Sequence, residues 1–98
     1  MSKSFQEILK EEPLVLVDFF AEWCGPCKMM KPELEKLKAK FGEEITILKV
    51  DVDKSPQASA AFQIQGVPTL MLYKNGQQVW RQSGAIPASE LEKIIKQH

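Results

Sequence analysis

The chain has two cysteines, Cys24 and Cys27, and they are separated only by Gly25-Pro26. That spacing constrains the fold more than any other feature, because it removes the disulfide staple as a source of stability. Closing a four-residue loop stabilises by about 2 kcal/mol, and short stiff loops deliver less. A fold of 98 residues must then rest on its own apolar core, and a hydrophobic content of 44% is enough to build one. Thiols this close are better suited to switching between dithiol and disulfide. Switching calls for an exposed attacking thiol of lowered pKa and a resolving partner within reach.

Charge and patterning remove several other uses. Thirteen basic and thirteen acidic residues give zero formal net charge, with no basic run, which argues against a nucleic-acid binder. The longest apolar segment, Leu14–Phe20, is interrupted by Asp18 and is far too short to span a bilayer. No secretory leader is recognisable, so a cytosolic, reducing location is expected. A structural zinc site needs four ligands, and the only histidine is His98, the last residue. No metal site within one chain is therefore expected, while a cluster shared between two chains stays open.

The hydrophobic spacing changes period several times along the chain. Phe5, Ile8 and Leu9 predict a short helix over residues 4–11, with Ser4 as its N-cap and Pro13 beyond its end. Leu14–Phe20 reads as a central strand covered on both faces. Met30, Leu34, Leu37 and Phe41 share one face of a long helix that begins near Cys24, kinks at Pro32 and stops at Gly42. A second strand over 45–52 completes a right-handed βαβ unit with parallel strands. Residues 55–62 read as a helix with Ser55 as cap and Pro56 at its first position. An apolar strand over 69–73 follows Gly66-Val67-Pro68. Asn75-Gly76 then predicts a two-residue hairpin into an antiparallel strand over 77–82. Leu91, Ile94 and Ile95 line one face of a closing helix over 88–97. The sum is an α/β fold: a mixed four-stranded sheet flanked by four helices on both faces.

Three places carry chemistry in this layout. Cys24 falls at the start of the long helix, where unpaired N–H groups and the positive end of the dipole stabilise a thiolate. Cys27, one turn on and expected to be less exposed, is the resolving thiol. Pro26 fixes the intervening turn, and Gly25 lets a partner's backbone approach. Asp18 places a carboxylate inside an apolar strand, on the face shared by Leu14, Leu16 and Phe20. Buried there, it would titrate above its usual value and could take a proton from the resolving thiol. Lys49 interrupts the neighbouring strand in the same way and is positioned to meet it. A strand-end Asp facing water beside a snorkelling Lys fits the same pattern. Asp51 and Asp53 read as solvated strand-end residues and caps. Finally, Gly66-Val67-Pro68 reads as a rigid loop that leaves the Val67 backbone free to pair with an extended peptide.

Together these residues resemble the thioredoxin family. The stretch Val17-Asp18-Phe19-Phe20-Ala21-Glu22-Trp23-Cys24-Gly25-Pro26-Cys27-Lys28 is similar to the family's active-site signature over its whole length. Pro32, Lys49 within Leu-Lys-Val-Asp-Val-Asp, Gly66-Val67-Pro68-Thr69 and Gly84 extend the match, from about Ser4 to the C-terminus. The resemblance implies a single thioredoxin domain over residues 1–98, with Cys24 as nucleophile, Cys27 as resolving thiol and a redox-active Cys24–Cys27 disulfide. It further implies Asp18 as buried proton carrier modulated by Lys49, and a cis peptide bond at Pro68. Trp23, Gly25, Pro26, Val67, Gly84 and Ala85 would form a flat apolar docking surface beside Pro68. The implied reaction is reduction of protein disulfides by a monomer without a bound cofactor, with electrons drawn from NADPH through a thioredoxin reductase.

Two departures from the family pattern stand out. Relatives usually open with a β-strand before the first helix; here only residues 1–3 precede it, so four strands and a less covered sheet edge are expected. Phe20 also stands where many bacterial relatives carry a second Trp, and Trp80 is extra, read as packing rather than site. The leading function is a dithiol–disulfide oxidoreductase acting as a reductant, because Gly25-Pro26 differs from the His-containing pair of oxidase and isomerase relatives. A redox-independent binding module and a metal- or cluster-bridged dimer are the alternatives from other classes.

Overall fold

The computed structural model describes residues 4–98. Helix α1 (Phe5–Glu11) starts at Ser4, whose hydroxyl accepts the Glu7 N–H at 3.1 Å. The order is then β1 (Leu14–Phe20), α2 (Gly25–Phe41), β2 (Thr46–Asp51), α3 (Pro56–Ala61), β3 (Thr69–Lys74), β4 (Gln77–Ser83) and α4 (Ala88–Gln97). The expectation that no strand precedes α1 concerns residues 1–3 and lies outside the described residues. None of these helices is long and apolar enough to cross a membrane.

The strands lie in the order β2-β1-β3-β4. β1 runs parallel to β2 and antiparallel to β3, so it has hydrogen-bonded neighbours on both sides. That is why its apolar run is broken only by Asp18, and Val15 to Phe19 are all buried. Alternation splits it between two cores. Leu16 joins Leu70 and Leu72 under Met30, Leu34 and Leu37 of α2 and Leu91 and Ile95 of α4. Val15, Val17 and Phe19 pack with Met71 and Leu9 on the opposite face, towards α1 and α3. There Phe62 stands against Phe5, Phe19 and Tyr73, with ring centroids 5.5, 5.7 and 6.5 Å away.

Several boundaries and caps differ from the sequence pattern. α2 holds Pro32 within a continuous 17-residue helix and, as the pattern indicates, ends at Gly42, whose φ is +58°. β2 is one residue shorter at each end than 45–52, although the Val52 N–H still reaches the Phe20 carbonyl at 2.9 Å. Ser55 occupies the N-cap of α3 but its side chain makes no capping bond. The Asp51 carboxylate instead accepts the N–H groups of Asp53 and Lys54 at 2.9 and 3.3 Å. α4 begins after Pro87, which has no capping side chain, and Glu33 of α2 supplies the acceptor for the Ala88 N–H at 2.9 Å. That bond and Lys36 hold the Glu33 carboxyl below its usual range.

The Asn75-Gly76 turn has positive φ at both residues, +53° and +83°, as a two-residue hairpin of the type I′ class requires. Beyond it the β3–β4 register slips between Leu72 and Tyr73, which pair with Trp80 and Gln78. The bulge lets the consecutive Val79 and Trp80 both pack on the α2–α4 core, against strict alternation. Trp80 is accordingly a packing residue.

The aromatic cluster joins α1 to the sheet through Phe5 and Phe62. Phe62→Ala is expected to lower unfolding stability by roughly 3 kcal/mol and to raise hydrogen exchange in α1 first. Urea denaturation and exchange mass spectrometry would measure both, and an α1 as protected as in the unmutated chain would show that other contacts hold it.

Candidate active site

Ala21 to Cys24 carry the chain from the C-terminal end of β1 into α2, with the Cys24 N–H bonded to the Ala21 carbonyl at 3.1 Å. Cys24 is the N-cap of α2, with extended φ and ψ of −86° and 116°. Its Sγ accepts the Cys27 N–H at 3.2 Å, in the way a capping hydroxyl would. The two cysteines form a disulfide with Cα atoms 5.3 Å apart, well inside the range such a bond needs.

The order of exposure differs from the sequence expectation. Cys24 is 3% exposed and Cys27 7%, so Cys27 is not the more hidden of the two. Both pack with Ala21, against Phe20, Val52 and Val67. What separates them is therefore position: Cys24 holds the helix cap, and its Sγ lies 3.6 Å from the Val67 carbonyl. Gly25 and Pro26 are exposed as the first two residues of the helix.

The Val67–Pro68 peptide bond is cis, and Pro68 is buried. Thr69 ties the loop down: its hydroxyl donates to the Gly66 carbonyl at 2.6 Å and lies 3.0 Å from the Ser83 hydroxyl. The Gly84 N–H donates to the Pro68 carbonyl at 2.8 Å, with Gly84 at φ +103°. Three chain segments, 23–27, 66–68 and 84–85, are thereby brought side by side. Among the described residues, no hydrogen bond engages the Val67 N–H. Trp23 is 71% exposed and Ala85 is exposed.

Two neighbours of this surface escaped the sequence reading. Asp53 accepts the Trp23 indole N–H at 2.8 Å and so holds the exposed ring. The signal was available: a residue just past the end of β2, parallel to β1, must lie at the same end of the sheet as Cys24. Met29, 64% exposed, lines with Met30, Ala85, Ile86 and Pro87 a hollow of about 320 Å³ beside the third segment.

Asp18 is 2% exposed, which rules out the strand-end carboxylate facing water. Its Oδ1 has no hydrogen-bond partner, and no hydrogen bond joins it to either cysteine among the described residues. Burial pushes its pKa up to about 6, and the Lys49 charge pulls the other way. Lys49 is the register partner of Asp18 on β2, on the same face, but its side chain is exposed. Among the described residues no group of three or more His, Cys, Asp or Glu side chains gathers to hold a metal ion.

Comparison with known proteins agrees with this geometry. The family model described as Thioredoxin matches residues 1–97. The chain is 42% identical over 96 residues to thioredoxin 1 of Chlorobaculum tepidum, covering 97% of this chain and 95% of that one. It is 51% identical over 85 residues to the thioredoxin of Chlamydia muridarum, covering 87% and 82%. Among solved structures, oxidised mitochondrial thioredoxin 3 of Saccharomyces cerevisiae superposes with a TM-score of 0.86 at 38% identity, covering 96% of this chain and 87% of that one.

Because the ionised form of Asp18 is the one that burial disfavours, its contribution to stability has a definite sign. Below about pH 3 the carboxyl is largely neutral in both folded and unfolded chains. As the pH rises to 7 the unfolded chain ionises more readily, so folding loses roughly 3 kcal/mol. Asp18→Asn is expected to match the unmutated chain near about pH 3 and to be more stable by about that amount at pH 7. Urea titrations across this range would measure the gap, and a gap that did not grow with pH would contradict the burial argument.

Proposed function

This chain belongs to the thioredoxin family and is a thiol–disulfide oxidoreductase, and from that premise we propose that it reduces disulfides in other proteins, as a monomeric single domain in the cytosol. The observation that carries the reading is the Cys24 sulfur at the α2 N-cap, held by the Cys27 N–H and facing the Val67 carbonyl. In the reduced protein a thiolate at that position is stabilised by the same N–H group and by the positive helix end.

The cycle follows from these positions. The Cys24 thiolate attacks one sulfur of the substrate disulfide, forming a mixed disulfide and expelling the other sulfur as a thiolate. The Cys27 thiol loses its proton and attacks Cys24 Sγ. That closes the Cys24–Cys27 disulfide and releases the second substrate thiol, so two electrons pass to the substrate. Asp18 takes the Cys27 proton. With a pKa of about 6 it is mostly ionised near neutrality, yet basic enough to accept it. Lys49, opposite it in register, keeps that value from rising further.

Substrate recognition rests on the surface around the pair. Trp23, Gly25 and Pro26 meet one side of an extended peptide; Val67, next to Pro68, offers its backbone N–H; Gly84 and Ala85 bound the other side. Glycines there keep the approach open. Electrons return through a thioredoxin reductase that draws on NADPH, and the protein's own disulfide is its redox group.

Cys27→Ser is expected to accumulate a mixed disulfide at Cys24 with protein substrates, seen by non-reducing gel and mass spectrometry, whereas Cys24→Ser should trap little. Equal or better trapping by Cys24→Ser would reverse the assigned roles. Asp18→Asn should slow release of the mixed disulfide by roughly 100-fold, at the low end of what positioned proton transfer contributes. A rate unchanged in stopped-flow release experiments would remove Asp18 from the proton path.

A further inference from the structure

The distribution of unpaired charge points to a preference among substrates, and it rests on the disulfide-reductase reading above. The chain is neutral overall, and most of its cations are compensated. Lys36, Lys40, Lys54, Lys93 and Lys96 each meet a carboxylate. Lys38, Lys74 and Arg81 each meet backbone carbonyls. Among the described residues four lysines have no acceptor. One, Lys10, lies on α1; the other three, Lys28, Lys31 and Lys49, line a single hollow of about 330 Å³ together with Phe20, Ala21, Glu22 and Cys27, and of these only Lys49 has its charge partly offset, by the buried Asp18 carboxylate. The one carboxylate on that lining, Glu22, stands 3.4 Å from Lys54 Nζ.

Helix energetics make this clustering costly. Lys28 and Lys31 are a like-charge pair at i,i+3 in the first two turns of α2. Lys28 stands at the end of the first turn, near the positive end of the helix dipole, and no acidic residue occupies that turn to offset it. α4 follows the opposite rule, with Glu90 in its first turn and Lys96 in its last. Local rules are broken chiefly at functional or strained sites, and this break lies beside the redox pair.

We propose that this hollow receives acidic side chains of the protein being reduced, so that disulfides flanked by Asp or Glu are preferred substrates. Its wall includes Cys27, so the acidic segment is anchored next to the sulfurs while the scissile disulfide is presented to Cys24. The three lysines line the hollow from two separate elements, α2 and β2. That suits carboxylates of an extended segment better than a compact anion, which would call for converging backbone N–H groups.

The test uses three disulfide peptides of one core sequence flanked by Glu, Gln or Lys, reduced by the unmutated chain and by a Lys28→Gln/Lys31→Gln variant. Both substitutions are at exposed helix positions. The unmutated chain should reduce the Glu peptide with kcat/KM about tenfold above the Gln peptide and the Lys peptide below both, a steering effect at the low end of its range. The preference should vanish in about 1 M salt, where charges are screened within about 3 Å. It should also collapse in the variant, with the Gln-peptide rate unchanged. Equal reduction of all three peptides by the unmutated chain, or a preference that survives in the variant, would overturn the proposal alone. So would a uniform loss of rate across the peptides in the variant, which would place the lysines' effect on the thiols. Inhibition of all three peptides alike by millimolar inorganic phosphate, lost in the variant, would make the hollow a small-anion site and overturn it too. Failure to reduce any of the three would overturn the reductase reading and this proposal with it.

Discussion

The site depends on β1 being hydrogen-bonded on both edges and covered on both faces. With β2 parallel on one side and β3 antiparallel on the other, five consecutive residues of β1 are withdrawn from water. Its C-terminal end then becomes a fixed platform. The parallel pairing with β2 requires a crossover, and α2 is that crossover, so the first residues of α2 must emerge at the same sheet end as the end of β1. Cys24 lies there because of this topology, and Asp53 and Val52, leaving β2, arrive at the same edge for the same reason.

The same burial creates an energetic anomaly at Asp18. Asp18 occupies a position that packing would fill with another aliphatic residue, and its Oδ1 is left without a partner. Burial raises its pKa, while Lys49 moderates that rise from the neighbouring strand. A fully paired carboxylate would be more stable but could not move a proton near neutrality. A buried, half-compensated one can, because its two protonation states are close in free energy there.

Much of this architecture was legible from periodicity. The bounds of β1, the face of α2 holding Met30, Leu34 and Leu37, and the Asn75-Gly76 turn follow from local chemistry, and the structure agrees with them. What failed to show was decided by distant partners. Ser55 looks like a cap, but Asp51 makes the bonds at that turn. Pro87 cannot cap α4, and Glu33, 55 residues away in sequence, does so. The β3–β4 bulge leaves no trace in alternation because its reason is the volume under α2 and α4, which Val79 and Trp80 fill together.

For the site, the amino-acid sequence by itself determined the redox pair, its spacing, its place at a helix start and the carboxylate within a core strand. These are statements about neighbours along the chain, where geometry is set by a few torsions. Tertiary structure alone decided that Cys24 and Cys27 are nearly equally hidden, that Trp23 is held by Asp53, and that Val67, Gly84 and the cysteines form one surface. It also decided that Lys28, Lys31 and Lys49 line one hollow beside Cys27. Exposure and charge pairing depend on which segments the sheet brings together, and no local pattern encodes the distance between residues that far apart in the chain.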